Sequence, residues 1–363
     1  MPQAPQRLFD TTHFLSIMSV VVMMLVFSVG VSSPWFLIIA IAFLGVAVMT
    51  SVHHAEVIAL RVGPSLGALI LALSVTVIEV GLIVSLMTNN TPESAVVARD
   101  TVFAAVIIVT NGIVGVCLLL GGLRYRELGF HVQGASSLLA ILAVLAGITM
   151  VLPNYTTSTA ASTYSTGQLI FVAAACLVLY GILVYFQTKT HKDYFEVEAT
   201  PEEQEDPTKP PSRRLTILSF ICLVVSLGAV IGLAKSLSPA IEAGVTAMNA
   251  PRAAVGIVIA LLVLLPETWA AISAARANQL QTSLNLALGS GAASIALTIP
   301  VVSVFSLMTN RTLTLGLDPK GTAFLLLTFI VGGLTLGTGR TTALQGATHL
   351  VLLLSYLVMS FIP

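Results

Sequence analysis

An all-α, polytopic membrane fold with about eleven transmembrane helices is predicted by three features of the sequence. Of 363 residues, 56% are apolar and only 9% charged, against about 25% charged in an ordinary soluble domain. With a mean hydropathy of +0.98, so few charges cannot cover a water-soluble core, and lipid is the expected solvent. Apolar runs of about 20 residues recur along the chain, and a single polar linker interrupts them. Twelve of the 32 charged residues lie between Thr188 and Arg214, leaving twenty for the other 336 positions.

Polar or Gly/Pro punctuation bounds the runs at 14–31, 34–52, 64–87, 98–122, 134–152, 167–187, 215–235, 252–274, 281–307, 321–338 and 343–361. The first lacks a small-residue cleavage site followed by a polar mature region, so it is expected to stay as a helix. After the second, the adjacent His53 and His54 are expected in a solvated cytoplasmic loop. After the sixth, the linker at 188–214 is rich in Glu, Asp and Pro, including Glu196, Glu198, Glu202, Glu203, Glu205 and Asp206; it is read as a flexible, solvated connection. Arg340 marks the turn between the last two runs, on the cytoplasmic side. Of the sixteen Lys and Arg residues, only Arg99, Lys235, Arg252, Arg311 and Lys320 fall opposite the side that holds the linker. That bias predicts a cytoplasmic N-terminus and an outward C-terminus.

The linker leaves one helix at 1–33, then five-helix halves at 34–187 and 215–363. An odd number of crossings per half forces the second half to enter the membrane in the opposite direction, the arrangement of inverted repeats. The pentapeptide at 85–89 recurs at 306–310, but these copies end helices that are not repeat mates and are read as a shared helix exit.

Fourteen of the sixteen acidic residues map to termini, loops, helix ends or the linker. Glu79 and Glu267 do not: each is the sixteenth residue of its run, and the two runs are the second helix of each half. A charge near the bilayer centre costs about 2.5–3.5 kcal/mol on insertion scales, so an intramembrane carboxylate marks an ion pathway more often than a packing site. Pro266 precedes Glu267 and Gly81 follows Glu79, which predicts irregular helix beside each carboxylate. In the following helices Thr110, Asn111 and Gly112, and Gly289, Ser290, Gly291 and Ser294, permit close packing and offer oxygens. Asn111 and Ser290 are the candidate additional ligands.

Two carboxylates among oxygen donors suit a hard cation such as Ca²⁺. Empty and ionised, they hold two negative charges in a low dielectric; two protons or one divalent cation relieve the same penalty. If only the neutralised site can occlude, cation must exchange for protons. No His/Cys metal cluster is apparent, His349 stands alone in the last run, and Cys117, Cys176 and Cys222 are read as core packing. No cofactor is expected beyond Ca²⁺ as transported substrate. Zero net charge argues against nucleic acid as a partner, and His-Glu-x-x-His is absent, so an enzyme is not expected. A passive cation channel is the remaining alternative class.

The stretches SVTVIEVGLIVSL, ARDTVFAAVIIVTNGIVG and PETWAAISAARANQLQTSLNLALGSGAASIALTIP resemble bacterial ChaA-type calcium/proton antiporters of the cation/calcium exchanger superfamily. The resemblance implies an extra first helix before two inverted five-helix repeats in a bacterial inner membrane, with cation binding between the repeat regions. Its repeat glutamates correspond to Glu79 and Glu267. Many calcium/proton exchangers carry Gly-Asn-x-x-Glu there, whereas this chain has Val75-Thr76-Val77-Ile78-Glu79 and Val263-Leu264-Leu265-Pro266-Glu267. The resemblance also extends to Na⁺/H⁺ and K⁺/H⁺ exchange.

Overall fold

In the computed structural model, residues 11–29, 34–62, 64–88, 95–159, 162–195, 211–247 and 253–362 are described. The acidic cluster from Glu196 to Asp206 lies outside them, as does Arg252. Helices α1 (Thr11–Val29), α2 (Pro34–Val62) and α3 (Pro64–Met87) are followed by α4 (Val97–Ile107), which passes through a π-helical turn, Ile108–Ile113, into α5 (Val114–Tyr125). Next come α6 (Val132–Ala146), with a second π-helical turn at Gly147–Val151, then α7 (Thr166–Tyr185) and α8 (Arg213–Ala247). The remainder is α9 (Ala253–Val263), α10 (Leu265–Arg276), α11 (Leu280–Thr309), α12 (Pro319–Leu336) and α13 (Ala343–Phe361). Each predicted run is matched by one helix or by helices in series, and α3 and α13 agree at both ends.

Nine helices among the described residues are long and apolar enough to cross a membrane. Of the two runs that carry the glutamates, one is the continuous α3 and the other is broken between α9 and α10. Large apolar side chains face outward, including Phe171, Leu334, Leu344 and Met308, as lipid rather than water requires.

Local chemistry sets several boundaries. Ser165 and Gln168 form a reciprocal capping box at the start of α7, and Thr342 and Gln345 do so for α13. Asp318 accepts from the Gly321 N–H ahead of α12, with Pro319 in the first turn. At the end of α11 Asn310 adopts φ 52°, and the Arg311 N–H closes onto the Ser306 carbonyl. That is a left-handed exit, which Asn tolerates, and it gives the second pentapeptide copy its physical basis; Asn89 of the first lies outside the described residues.

Two differences from the predicted elements stand out. Helix α2 continues ten residues beyond its predicted end, so His53 and His54 are helical rather than in a loop. The apolar stripe runs on through Val52, Ala55, Val57 and Ile58, all buried, and carries the histidines with it. Helix α8 also runs twelve residues past its predicted end, through Pro239, where Ala240, Glu242 and Ala243 favour helix.

The helices form two compact units. One comprises residues 1–86 and 198–244, and so holds α1, α2, α3 and most of α8; the other comprises 87–197 and 245–363. Each draws on both halves of the sequence.

In the first unit His54 is fully buried, and its Nε2 lies 3.1 Å from the Ser16 hydroxyl. Ser16 also accepts from Ser226 at 2.9 Å and donates to the Thr12 carbonyl at 3.0 Å. With the proton on Nε2, every hydrogen in this set has an acceptor. The network ties α1, α2 and α8 together, and the His13 and His53 rings lie 5.0 and 5.6 Å from that of His54. Ser16→Ala is expected to lower stability by about 1 kcal/mol, the order of an interhelical hydrogen bond in a membrane. It should be read as a lower thermal midpoint in detergent, with Ser28→Ala, on an exposed site of the same helix, as the unchanged control.

In the second unit, hydrogen bonds sort the connections onto two ends. At one end β1 (Glu127–Gly129) pairs antiparallel with β2 (Arg340–Thr342), His131 N–H donates to Gln281, Tyr125 donates to the Arg276 carbonyl, and Asn285 reaches the Phe195 carbonyl. At the other end Thr314 N–H donates to Ala95, Leu315 N–H to Ser162 and Leu317 N–H to Met150. Connections four-to-five, eight-to-nine and ten-to-eleven of the predicted runs, with the start of the linker, thus share one end. Connections three-to-four, five-to-six and nine-to-ten share the other, as strict alternation demands. Arg340, expected at the ten-to-eleven turn, sits in β2 and lies 3.6 Å from Glu127 with both side chains mostly exposed, a pair that contributes little to stability.

Candidate cation site

At the centre of the second unit, 89% of the most apolar stretch of Val97–Tyr125 is buried, against 22% for α7 and α13. Glycines let its neighbours close in. A Cβ on Gly122 would stand 2.3 Å from the Ala343 nitrogen, and one on Gly346 2.4 Å from the Leu119 nitrogen, so α5 and α13 meet backbone to backbone. On another side a Cβ on Gly291 of α11 would lie 3.3 Å from Val109 of the π-helical turn. Cys117, Cys176 and Cys222 are buried free thiols.

The break between α9 and α10 sits beside Glu267. Leu264 takes φ −83° and ψ 0°, and α10 restarts with Pro266 at its N-terminus. Proline has no N–H to return to the carbonyl of Leu262 four residues earlier. Thr268 adds a side-chain bond to the Leu264 carbonyl at 2.6 Å. Glu267 therefore lies in the first turn of a short helix, where the N-terminal dipole favours negative charge, and is only 8% exposed. The Ser290 hydroxyl of α11 approaches its Oε1 at 3.5 Å, a distance at the limit of a hydrogen bond, while Ser283 bonds the Ala271 carbonyl at 2.8 Å and ties α11 to α10. A Cβ on Gly289 would meet nothing within 4 Å, so space is open on that face of α11. A discontinuous helix with a buried carboxylate, a hydroxyl and freed carbonyl oxygen can bind a hard cation or a proton.

Asn111 lies in the π-helical turn and is fully buried. Its Oδ1 is 3.0 Å from His349 Nδ1, and its Nδ2 donates to Thr328 at 2.8 Å. The structure thus brings Ser290 to Glu267, and Asn111 to α12 and α13. The neighbouring Thr110 hydroxyl is buried without a hydrogen-bond partner among the described residues, and Ser294 is buried on α11. The roles of Thr328 and Thr335 were not read from the sequence, although their spacing of seven on α12 puts two hydroxyls on one helical face.

Glu79 belongs to the first unit. It is 5% exposed, with the buried Thr76 one turn earlier. The irregularity predicted here is absent, because α3 is continuous through Glu79 and Gly81. Gly81 serves packing instead: a Cβ there would fall 2.6 Å from the Ile231 side chain of α8. A lone glycine leaves every helical N–H in place, whereas Pro266 removes one, and only the second helix breaks. Among the described residues no group of three or more His, Cys, Asp or Glu side chains could hold a metal ion.

Comparison with known proteins places this architecture. The sodium/calcium exchanger protein family model matches residues 32–189 and 218–362, on both sides of the linker. The chain is 47% identical to y4hA of Sinorhizobium fredii (strain NBRC 101917 / NGR234), provisionally named an ionic transporter, over 87% of this chain and 86% of that one. It is 35% identical to the sodium-potassium/proton antiporter ChaA of Escherichia coli (strain K12), over 95% of each. The crystal structure of the Ca²⁺/H⁺ antiporter protein YfkE shares the fold with a TM-score of 0.72 at 15% identity, covering 98% of this chain and 100% of that one. The broken helix with its buried glutamate therefore belongs to a multi-pass membrane transporter, and this chain is a member of the sodium/calcium exchanger protein family, within the cation/calcium exchanger superfamily.

Proposed function

We propose that the protein is a cation/proton antiporter of a bacterial inner membrane, exchanging cytoplasmic Ca²⁺ for protons through Glu79 and Glu267. The observation that carries this reading is Glu267 itself, buried at the start of a half-helix beside Ser290 and a proline-broken backbone. A carboxylate so enclosed must be neutralised, by a proton or by a cation. A group that accepts either, but not neither, during occlusion couples the two fluxes. Glu79, buried on an apolar helix of its own, is assigned the same role, and the two helices are taken as mates in repeats at 34–187 and 215–363. The N-terminus is assigned to the cytoplasm on the charge bias.

A second reading keeps the fold and changes the ion. The relative ChaA is named a sodium-potassium/proton antiporter, whereas a 25% identical relative from Aphanothece halophytica is named a Ca²⁺/H⁺ antiporter. The Gly-Asn pair of many calcium/proton exchangers is missing before both glutamates. The test is the lumenal pH of acid-loaded proteoliposomes on addition of Ca²⁺, Na⁺ or K⁺. Ca²⁺ is expected to alkalinise the lumen at the lowest concentration; a lower half-saturation for Na⁺ or K⁺ would transfer the assignment to the second reading. Cation entry without proton movement would identify a channel.

A further inference from the structure

We propose that His349 is a positioning residue for the transport site, acting through Asn111 to hold the π-helical turn Ile108–Ile113 in place against α11. This rests on the reading of Glu267 and Ser290 as part of the cation site. The hydrogen count around His349 is complete. For Asn111 Oδ1 to accept at 3.0 Å, Nδ1 must carry the proton, and Nε2 then accepts from the Thr335 hydroxyl 3.1 Å away. Asn111 Nδ2 donates to Thr328, whose own hydroxyl donates to the Phe324 carbonyl at 2.8 Å. Four side chains from the bulged helix, α12 and α13 therefore satisfy one another in a fully enclosed place.

A π-helical turn is a rare insertion in an α-helix, found most often at functional sites. Among the described residues, the polar contacts of Asn111 in this turn come from α12 and α13. A Cβ on Gly115 would lie 3.0 Å from the His349 Cβ, so α13 is seated directly on the bulged helix and His349 reaches along it to Asn111. On the side of α11 the same turn presents Val109 to Gly291, the residue after Ser290. A shift of the turn is therefore transmitted to the backbone that carries the Ser290 hydroxyl. Both polar atoms of Asn111 are engaged within the protein, so its contribution is to fix this turn, and a cation could take Oδ1 only by leaving the His349 N–H without its acceptor.

The test compares wild type with His349→Leu, His349→Asn and Thr335→Val. Apparent KM and Vmax for the driving cation are measured in acid-loaded proteoliposomes, and Ca²⁺ binding to the detergent-solubilised full chain by calorimetry. His349→Leu is expected to raise KM and Kd by about tenfold, the scale of one lost buried hydrogen bond, with Vmax changed less. His349→Asn places an amide N–H where Nδ1–H stood and should stay within about threefold of wild type. A His349→Leu protein indistinguishable from wild type, or a His349→Asn protein as impaired as His349→Leu, overturns the proposal. Should His349→Leu fail to fold, Thr335→Val carries the test, and unchanged KM and Kd there overturn it. A wild type that binds Ca²⁺ but moves no protons defeats the antiport reading alone, and His349 is then judged on Kd. If Na⁺ or K⁺ drives proton movement instead, its KM serves; a wild type that neither binds nor exchanges any of the three overturns both.

Discussion

Glu267→Gln is expected to abolish cation-driven alkalinisation of acid-loaded proteoliposomes, a loss of at least about 100-fold, the scale of removing a buried charge from its partner. The amide keeps the volume of the carboxyl and its ability to accept from Ser290 at 3.5 Å, so the fold should survive. What disappears is the titratable charge at the start of α10, and with it the means of exchanging a proton for a cation. Glu79→Gln should have an effect of the same order, because the proposed exchange of one divalent ion for two protons assigns a titratable charge to each glutamate. A monovalent exchange with one proton would leave a measurable residue of activity in one of the two variants, so the comparison also reads stoichiometry. Full activity in both would remove the basis for assigning either residue to transport.

Gly122→Ala and Gly346→Ala are expected to collapse stability, reading as little monodisperse protein after detergent extraction and a thermal midpoint lowered by more than about 10 °C. The added methyl groups would stand 2.3 and 2.4 Å from backbone nitrogens of the facing helix, and backbone cannot rotate away as a side chain can. Helices in lipid associate through such close contacts rather than through a hydrophobic drive. Gly289→Ala supplies the contrast: with nothing within 4 Å of its Cβ position, it should leave the midpoint unchanged. Any effect it has should fall on transport, since Ser290 is its neighbour. An unchanged midpoint in Gly122→Ala would contradict the close approach of α5 and α13.

Much of the candidate site was legible because its signals are chemical and local. A proline immediately before a glutamate in an apolar run announces both a missing N–H and a charge that lipid will not solvate, and the structure places the helix break there. The glycine beside Glu79 looked like the same kind of signal and was not. Its use depends on Ile231, a residue on another helix 150 positions away, and nothing in the local pattern distinguishes a packing notch from a kink. The histidines show the same limit. His53 and His54 read as polar and therefore as loop, yet Ser16 and Ser226 make a buried place for the His54 ring, and the helix continues through it. The π-helical turn at Ile108–Ile113 had no periodic signature, because one inserted residue in an evenly apolar run changes no pattern that a 3.6-residue repeat can register.

The sequence was sufficient for the membrane class, the series of apolar runs, the polar linker and the buried glutamates. These follow from properties that add up residue by residue along one segment: length, transfer free energy and charge. Tertiary structure was needed to decide which polar atoms meet. Asn111 and His349 are separated by 238 positions and Asn111 and Thr328 by 217, and the first of these pairings follows from glycines that bring α5 and α13 into backbone contact. In an apolar interior a polar atom is costly wherever it lacks a partner, so each stray hydroxyl, amide or imidazole constrains the packing of its helix. Which partner satisfies it is a property of several helices together, and no single run of sequence contains it.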